Sequence, residues 1–167
     1  LIASAIAANI AAASAGQIPN QPITYGSLVS FIVVGGAGLV LSLVISLLIF
    51  SKRDDERAVA KLGFVPALFG ISEPVVFGLP LVLNVTYAIP FILNGGIATG
   101  LLLFFTNIGF LPCNIVDVPF GFPVIVSAFV GHGWQGVVVQ LIIIAVGALV
   151  YTPFVLMSNK QAKKELN

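Results

Sequence analysis

Glu73 is a carboxylate in a place where a carboxylate is expensive. It lies near the middle of Leu62–Asn84, LGFVPALFGISEPVVFGLPLVLN, and is the only charged residue there. At the centre of a bilayer a charge costs at least about 2.5–3.5 kcal/mol, so an ionisable residue in an apolar segment by default marks a functional site. Pro66, Pro74 and Pro80 punctuate the same run. An internal proline breaks or kinks a helix and disfavours helical backbone at the residue before it. As helices, the arms Phe64–Ser72 and Pro74–Leu83 are each roughly 13–15 Å long, half a bilayer. The pattern predicts a re-entrant hairpin with the Ser72–Glu73–Pro74 turn at membrane depth. The amino end of its second arm then faces the carboxylate. The competing reading is a buried structural ion pair, but no basic residue lies near Glu73 in sequence.

Other polar residues carry weaker signals. Asp117 precedes Val118–Pro119 and either binds a sugar hydroxyl or caps a turn. His132, in Gly131-His132-Gly133-Trp134, is expected as an exposed or interfacial loop histidine without the partner spacing of a metal site. Cys113 has no CxxC context and is expected to be a buried, inert thiol. Asn84, Asn94, Asn107 and Asn114 either contact carbohydrate or hydrogen-bond helix to helix. Phosphate-loop, GxSxG and HExxH motifs are missing from the sequence, so nucleotide binding and hydrolase triads are not expected, and neither cofactor nor metal is.

The elements that hold these residues are set by composition. Of 167 residues, 59% are hydrophobic and 8% charged, and the mean hydropathy is +1.13. A soluble domain carries about 25% charged residues. A net charge of +1 gives no basic field for nucleic acid. An all-α integral membrane protein remains. Of 13 charged residues, 11 fall in two patches, Lys52–Lys61 and Lys160–Glu165. The chain opens in an apolar, Ala-rich stretch, Leu1–Ala15, read here as a cut through a longer polypeptide.

The expected order is a truncated membrane segment and loop over 1–26, then a transmembrane helix over 27–50 containing Gly35, Gly36 and Gly38. Those glycines serve either close approach or generic small-residue packing. A cytoplasmic loop follows over 51–61, the hairpin over 62–84 and a transmembrane helix over 85–110. An irregular or re-entrant segment over 111–133 precedes a last transmembrane helix over 134–157 and a cytoplasmic tail over 158–167. Both basic patches should be cytoplasmic by the positive-inside rule. An even number of crossings must then separate them. The helices over 85–110 and 134–157 supply two, which favours a hairpin over 62–84 that does not cross.

From Ala67 to Leu93 the string ALFGISEPVVFGLPLVLNVTYAIPFIL resembles a long, specific signature. It is the G-I-N-E-P…F-G-L-P motif of bacterial phosphotransferase-system enzyme IIC permeases of the lactose/cellobiose (diacetylchitobiose) family. NIAAASAGQIPN (Asn9–Asn20) and FIVVGGAGLVLSL (Phe31–Leu43) are similar to the segment before that family's glycine-rich helix and to the helix itself. Ser51-Lys52 with Lys61-Leu62-Gly63 resembles its basic loop, and WQGVVVQLIIIAVGALVYTPF (Trp134–Phe154) its last helix. The resemblance covers about Asn9–Lys160 and the C-terminal part of the family's architecture. Two places depart from the pattern: Ser72 stands for the usual Asn, and Pro119-Phe120-Gly121-Phe122-Pro123 for a Pro-Trp-Thr-Thr-Pro run.

The resemblance implies a subunit of the bacterial cytoplasmic membrane that binds a β-linked disaccharide. Enzyme IIB, charged by IIA, would phosphorylate the sugar during uptake. It implies Glu73 as the catalytic and sugar-contacting residue; with Ser72 beside it, and Asn84 and Asp117 from the reading of polar residues above, Glu73 makes up the expected substrate-binding set. It further implies a homodimer, lipid contact, reliance on the N-terminal part of the same protein, and no phosphorylated residue in this chain. The rivals are a proton-coupled secondary sugar transporter, with Glu73 carrying the proton, and an assembly subunit without substrate.

Overall fold

The computed structural model describes residues 2–79, 81 and 84–165. Among them the chain is all helix and loop: α1 (Ile2–Ser14), α2 (Tyr25–Ser27, continued as a π turn over Leu28–Ile32), α3 (Val40–Phe50), α4 (Asp54–Leu68), α5 (Glu73–Gly78), α6 (Val85–Asn107) and α7 (Val124–Glu165). Helices α6 and α7 are long and apolar enough to cross a membrane. The apolar α3 is too short to span, and it is buried over most of its length. It joins two core clusters. One holds Phe31, Leu41, Ala98 and Ile143; the other holds Leu43, Leu47, Tyr87 and Tyr151.

The continuous helix expected over 27–50 is broken. Gly35, Gly36 and Gly38 all have positive φ, and Leu39 follows at φ 54°. Three glycines in four residues make that left-handed excursion sterically cheap, where any other residue would resist it. Unwinding frees backbone carbonyls inside an apolar body, and α7 answers them. Gln140 Nε2 donates to the Ser30 carbonyl at 2.7 Å, and the Tyr151 hydroxyl donates to the Gly38 carbonyl at 2.6 Å. Below the break, Ser42 and Ser46 donate to the Ile144 and Ala148 carbonyls at 3.0 and 2.8 Å. Gly147 lets α3 come this close, since a β-carbon there would lie 2.8 Å from Ser42 Oγ. Small residues and interhelical hydroxyl bonds are the means of helix association where no water drives it.

From Asp54 the polar stretch expected as a loop over 51–61 is helical. It forms about half of α4, with Asp54, Asp55 and Glu56 in the first turn, where carboxylates suit the helix dipole. The buried residues of α4 are Glu56, Ala60, Gly63 and Ala67, spaced 4, 3 and 4, which is one helix face. Two helices do meet at a turn before Glu73, but the first arm is not the expected Phe64–Ser72: it is the end of a helix that runs through Pro66 from Asp54. Helix α4 ends at Leu68 and α5 starts at Glu73. The arms touch intimately, because a β-carbon on Gly63 would overlap Val75 Cγ2, and one on Gly78 would lie 2.6 Å from Val59 Cγ1. Pro80, Val82 and Leu83, at the far end of the expected second arm, lie outside the described residues. The segment expected as irregular or re-entrant over 111–133 is irregular only to Pro123. From Val124 it is helical and runs into the last helix across a kink at Gly133 (φ 69°, ψ −160°).

At the base of α4, Arg53 and Asp55 pair at 2.6 Å on the surface. The Arg53 guanidinium holds the Asp55 carboxyl below the usual carboxylate range. A depressed carboxyl adds stability above its unfolded range and loses it as pH falls through the folded one. Asp55 is 65% exposed, so this pair is worth at most about 1 kcal/mol. Chemical denaturation should show Asp55→Asn slightly less stable than the native chain at neutral pH and equal to it once acid has protonated the carboxyl. Gly36→Ala should be far more damaging. It places a side chain at φ 99° and against Ser72, and the left-handed backbone alone costs about 1–2 kcal/mol. Thermal melting in detergent should show the loss.

Candidate functional site

Two interruptions of helix meet at one cavity. The glycine break contributes Gly36, and the preceding turn contributes Tyr25. The hairpin contributes Gly70, Ser72 and Glu73, and the irregular segment before α7 contributes Phe120. Together with apolar side chains of the π turn they line a cavity of about 320 Å³. That volume falls in the range of about 300–1,000 Å³ typical of small-molecule sites. The contact that closes it is tight: a β-carbon on Gly36 would overlap that of Ser72. The hairpin tip is therefore seated directly on the break.

Glu73 opens α5 with Pro74 behind it. Proline fits the first turn of a helix, where its missing N–H is not needed. The Ser72 carbonyl accepts from the Val75 and Val76 amides at 3.0 and 2.9 Å, which closes that first turn. Glu73 is exposed. Among the described residues it has neither a hydrogen bond nor an ion pair. Both carboxyl oxygens remain open to the cavity's contents. They are hydrogen-bond acceptors when ionised, and the neighbouring Ser72 hydroxyl both donates and accepts. Tyr25 and Phe120 add aromatic faces, whose negative quadrupole suits the C–H face of a sugar ring. Acceptors beside aromatic faces are the chemistry that a ligand with hydroxyls and a flat apolar face would need.

Not every residue singled out from the sequence comes to this cavity. Ser72 and Glu73 line it; Asn84 and Asp117 do not. Asn84 caps α6, its side chain accepting from the Thr86 amide at 3.0 Å. Asp117 is exposed in the irregular segment. His132 is not an exposed loop residue: it is 3% exposed and its ring meets Phe31 edge-on at 4.8 Å. The helix simply starts earlier than its flanking glycines suggested. Cys113 is a half-buried free thiol. Asn94 and Asn114 are buried, and Asn114 ties its loop to α1 by accepting from Asn9 Nδ2 at 2.9 Å through its carbonyl. No group of three or more His, Cys, Asp or Glu side chains is placed to hold a metal among the described residues. Sequence reasoning missed Tyr25 and Phe120, since single aromatics in an aromatic-rich chain carry no local signal. It also missed Glu56, hidden in what looked like a solvated charge run.

Comparison with known proteins matches residues 1–95 to the family described as "Phosphotransferase system, EIIC". The cellobiose-specific EIIC component of Lactococcus lactis subsp. lactis (strain IL1403) is 36% identical over 85% of this chain and 29% of its own length. The lichenan permease IIC component of Bacillus subtilis (strain 168) is 34% identical over 98% of this chain and 37% of its own length. The crystal structure of the transporter ChbC, the IIC component from the N,N'-diacetylchitobiose-specific phosphotransferase system, superposes with a TM-score of 0.90 and 31% identity. That match covers 97% of this chain and 38% of ChbC. The chain thus spans roughly a third of the length of these relatives.

The placement of Asn84 separates a cap from a binding residue. Asn84→Ala should lower stability by about 0.5–2 kcal/mol, the usual worth of an N-cap, and leave ligand affinity unchanged. Melting and equilibrium binding on the same variant check both halves. A selective loss of affinity would instead assign Asn84 to the site.

Proposed function

We propose that this chain, which belongs to the phosphotransferase system EIIC family, forms part of the sugar path of a membrane-embedded enzyme IIC permease. One observation carries the reading. Glu73, a carboxyl without a partner among the described residues, lines a cavity with two aromatic residues where two helix interruptions of an apolar chain meet. Irregular backbone at membrane depth is tolerated only where protein buries it or a cavity adjoins it. Here it adjoins one that holds hydroxyl-reading chemistry.

The ligand that fits is a β-linked disaccharide. Glu73 accepts a hydrogen bond from a sugar hydroxyl, Ser72 supports a second, and Tyr25 and Phe120 cover ring faces. Glu73 keeps the reacting hydroxyl oriented toward a phosphodonor, since positioning supplies much of phosphoryl-transfer catalysis. The donor is a separate domain or subunit, enzyme IIB, charged in turn by IIA. In this reading the chain itself carries no phosphoryl group; His132 packs against Phe31, and Cys113 does not line the cavity. The two basic patches face the cytoplasm, which places the C-terminal end of α7 on the side from which the donor approaches. The rest of the permease and a second copy complete the assembly.

The test uses the full-length permease in vesicles with the soluble phosphotransferase components. Labelled cellobiose, lactose and diacetylchitobiose are supplied, and the chemical form inside is read. Sugar phosphate should accumulate only with phosphoenolpyruvate. Glu73→Gln should lower its formation at least tenfold while the protein still inserts. Near-normal phosphorylation by Glu73→Gln would remove Glu73 from the site. Unmodified sugar driven by a proton gradient would move the protein to secondary transport.

A further inference from the structure

The carboxyl of Glu56 is buried at the base of the hairpin, 2% exposed, and it is the meeting point of four helices. Its Oε2 accepts from Ser51 Oγ, at the end of α3, at 2.6 Å. Its Oε1 accepts from the Tyr87 hydroxyl of α6 at 2.9 Å and from Ser158 Oγ of α7 at 2.5 Å. Arg53 stands 3.7 Å from the same oxygen and also donates to Ser158 Oγ at 3.2 Å. The proposed sugar site uses none of these groups. A buried carboxyl is a poor way to gain stability, since apolar residues of similar volume often do as well or better. The best-attested use of such a cluster is to fix one arrangement among several.

The rest of α4 needs such a fixture. Its buried face above Glu56 is Ala60, Gly63 and Ala67. These side chains allow close approach but have few atoms to grip with. Leu62, Val65 and Phe77 are exposed, so the outer face of the hairpin is not held within this chain. The arms are locked to each other through Gly63–Val75 and Val59–Gly78, so they should move as one piece. Glu56 lies 12 residues before the end of α4 at Leu68, roughly 18 Å along the axis. A small rotation at that base becomes a large displacement at the tip, where Ser72 and Glu73 sit against Gly36.

We propose that Glu56 is a positioning residue for the Glu73 site. It fastens the hairpin's base to α3, α6 and α7 and so sets where the tip presents Glu73. The functional half of this inference rests on the reading of Glu73 as a sugar ligand; the mechanical half does not.

Both halves are tested in the full-length permease with Cys113 replaced by Ser. Spin labels at Phe77 on the hairpin and Leu149 on α7, both exposed in this chain, report the distance between the two bodies. Labelled cellobiose reports binding and phosphorylation. Glu56→Ala should broaden the distance distribution and raise the apparent sugar KM at least tenfold. Glu56→Gln, which keeps one acceptor oxygen and can donate to Ser51, should stay within threefold of the parent in both. Tyr87→Phe removes one bond and Ser158→Ala two; both leave the carboxyl in place and should fall between, so the series remains readable if Glu56→Ala does not fold. An unchanged distance distribution across the series overturns the proposal. So does a broadened distribution with unaltered sugar binding, when Glu73→Gln abolishes that binding. If Glu73→Gln binds sugar normally as well, the Glu73 reading fails, while the broadened distribution still supports the tether.

Discussion

A backbone that unwinds inside an apolar body must find a partner for each N–H and C=O it frees, because no water is there to supply one. That constraint organises this chain. The glycine break over residues 35–38 and the π turn before it expose carbonyls, and one face of α7 satisfies them. Gln140 serves Ser30, and Tyr151 serves Gly38. The same face brings Gly147 against Ser42 and, further along, Ser158 against Glu56. Residues 140, 147, 151 and 158 recur at intervals close to whole helical turns, so one face of α7 serves as a polar spine for elements that cannot be regular helices. Remove that spine and the break would either rewind or collapse, and the proposed cavity would go with it.

The break matters because of what it seats. Gly36 has no side chain, and Ser72 occupies the room left. The hairpin tip can therefore approach the broken helix more closely than two intact helices would allow. The carboxyl of Glu73 is carried to a cavity wall beside Tyr25 and Phe120, without a partner among the described residues. In the proposed function it is the acceptor for a polyhydroxylated ligand, and this is how irregular backbone becomes a proposed function.

The sequence revealed most where physics leaves a mark at short range. Three prolines around a lone carboxylate announced the Glu73 hairpin, and the long uncharged run near residues 85–110 announced α6. Charge starvation announced the membrane. What it hid was long-range. The run over 27–50 is uncharged throughout and mostly apolar, so hydropathy cannot distinguish a spanning helix from one broken by glycines; the tertiary partners Gln140 and Tyr151 are what stabilise the break. Charged residues over 52–61 read as a loop because their number masked the buried stripe of Glu56, Ala60, Gly63 and Ala67. The flanking glycines of His132 suggested a loop, yet the chain bends at Gly133 alone and leaves the histidine buried against Phe31. Asn84, expected as a sugar ligand, caps α6 and does not line this cavity; a cap and a ligand ask for the same side chain.

The central claim is that the carboxyl at the hairpin tip holds the sugar. Its most direct test is an experimental structure of the full-length permease with a bound β-linked disaccharide. The account predicts a sugar hydroxyl at about 2.5–3.0 Å from a Glu73 carboxyl oxygen, the usual O–H···O range, with Tyr25 or Phe120 lying along a ring face. A disaccharide bound elsewhere, with Glu73 paired to a basic residue from another part of the permease, would contradict it.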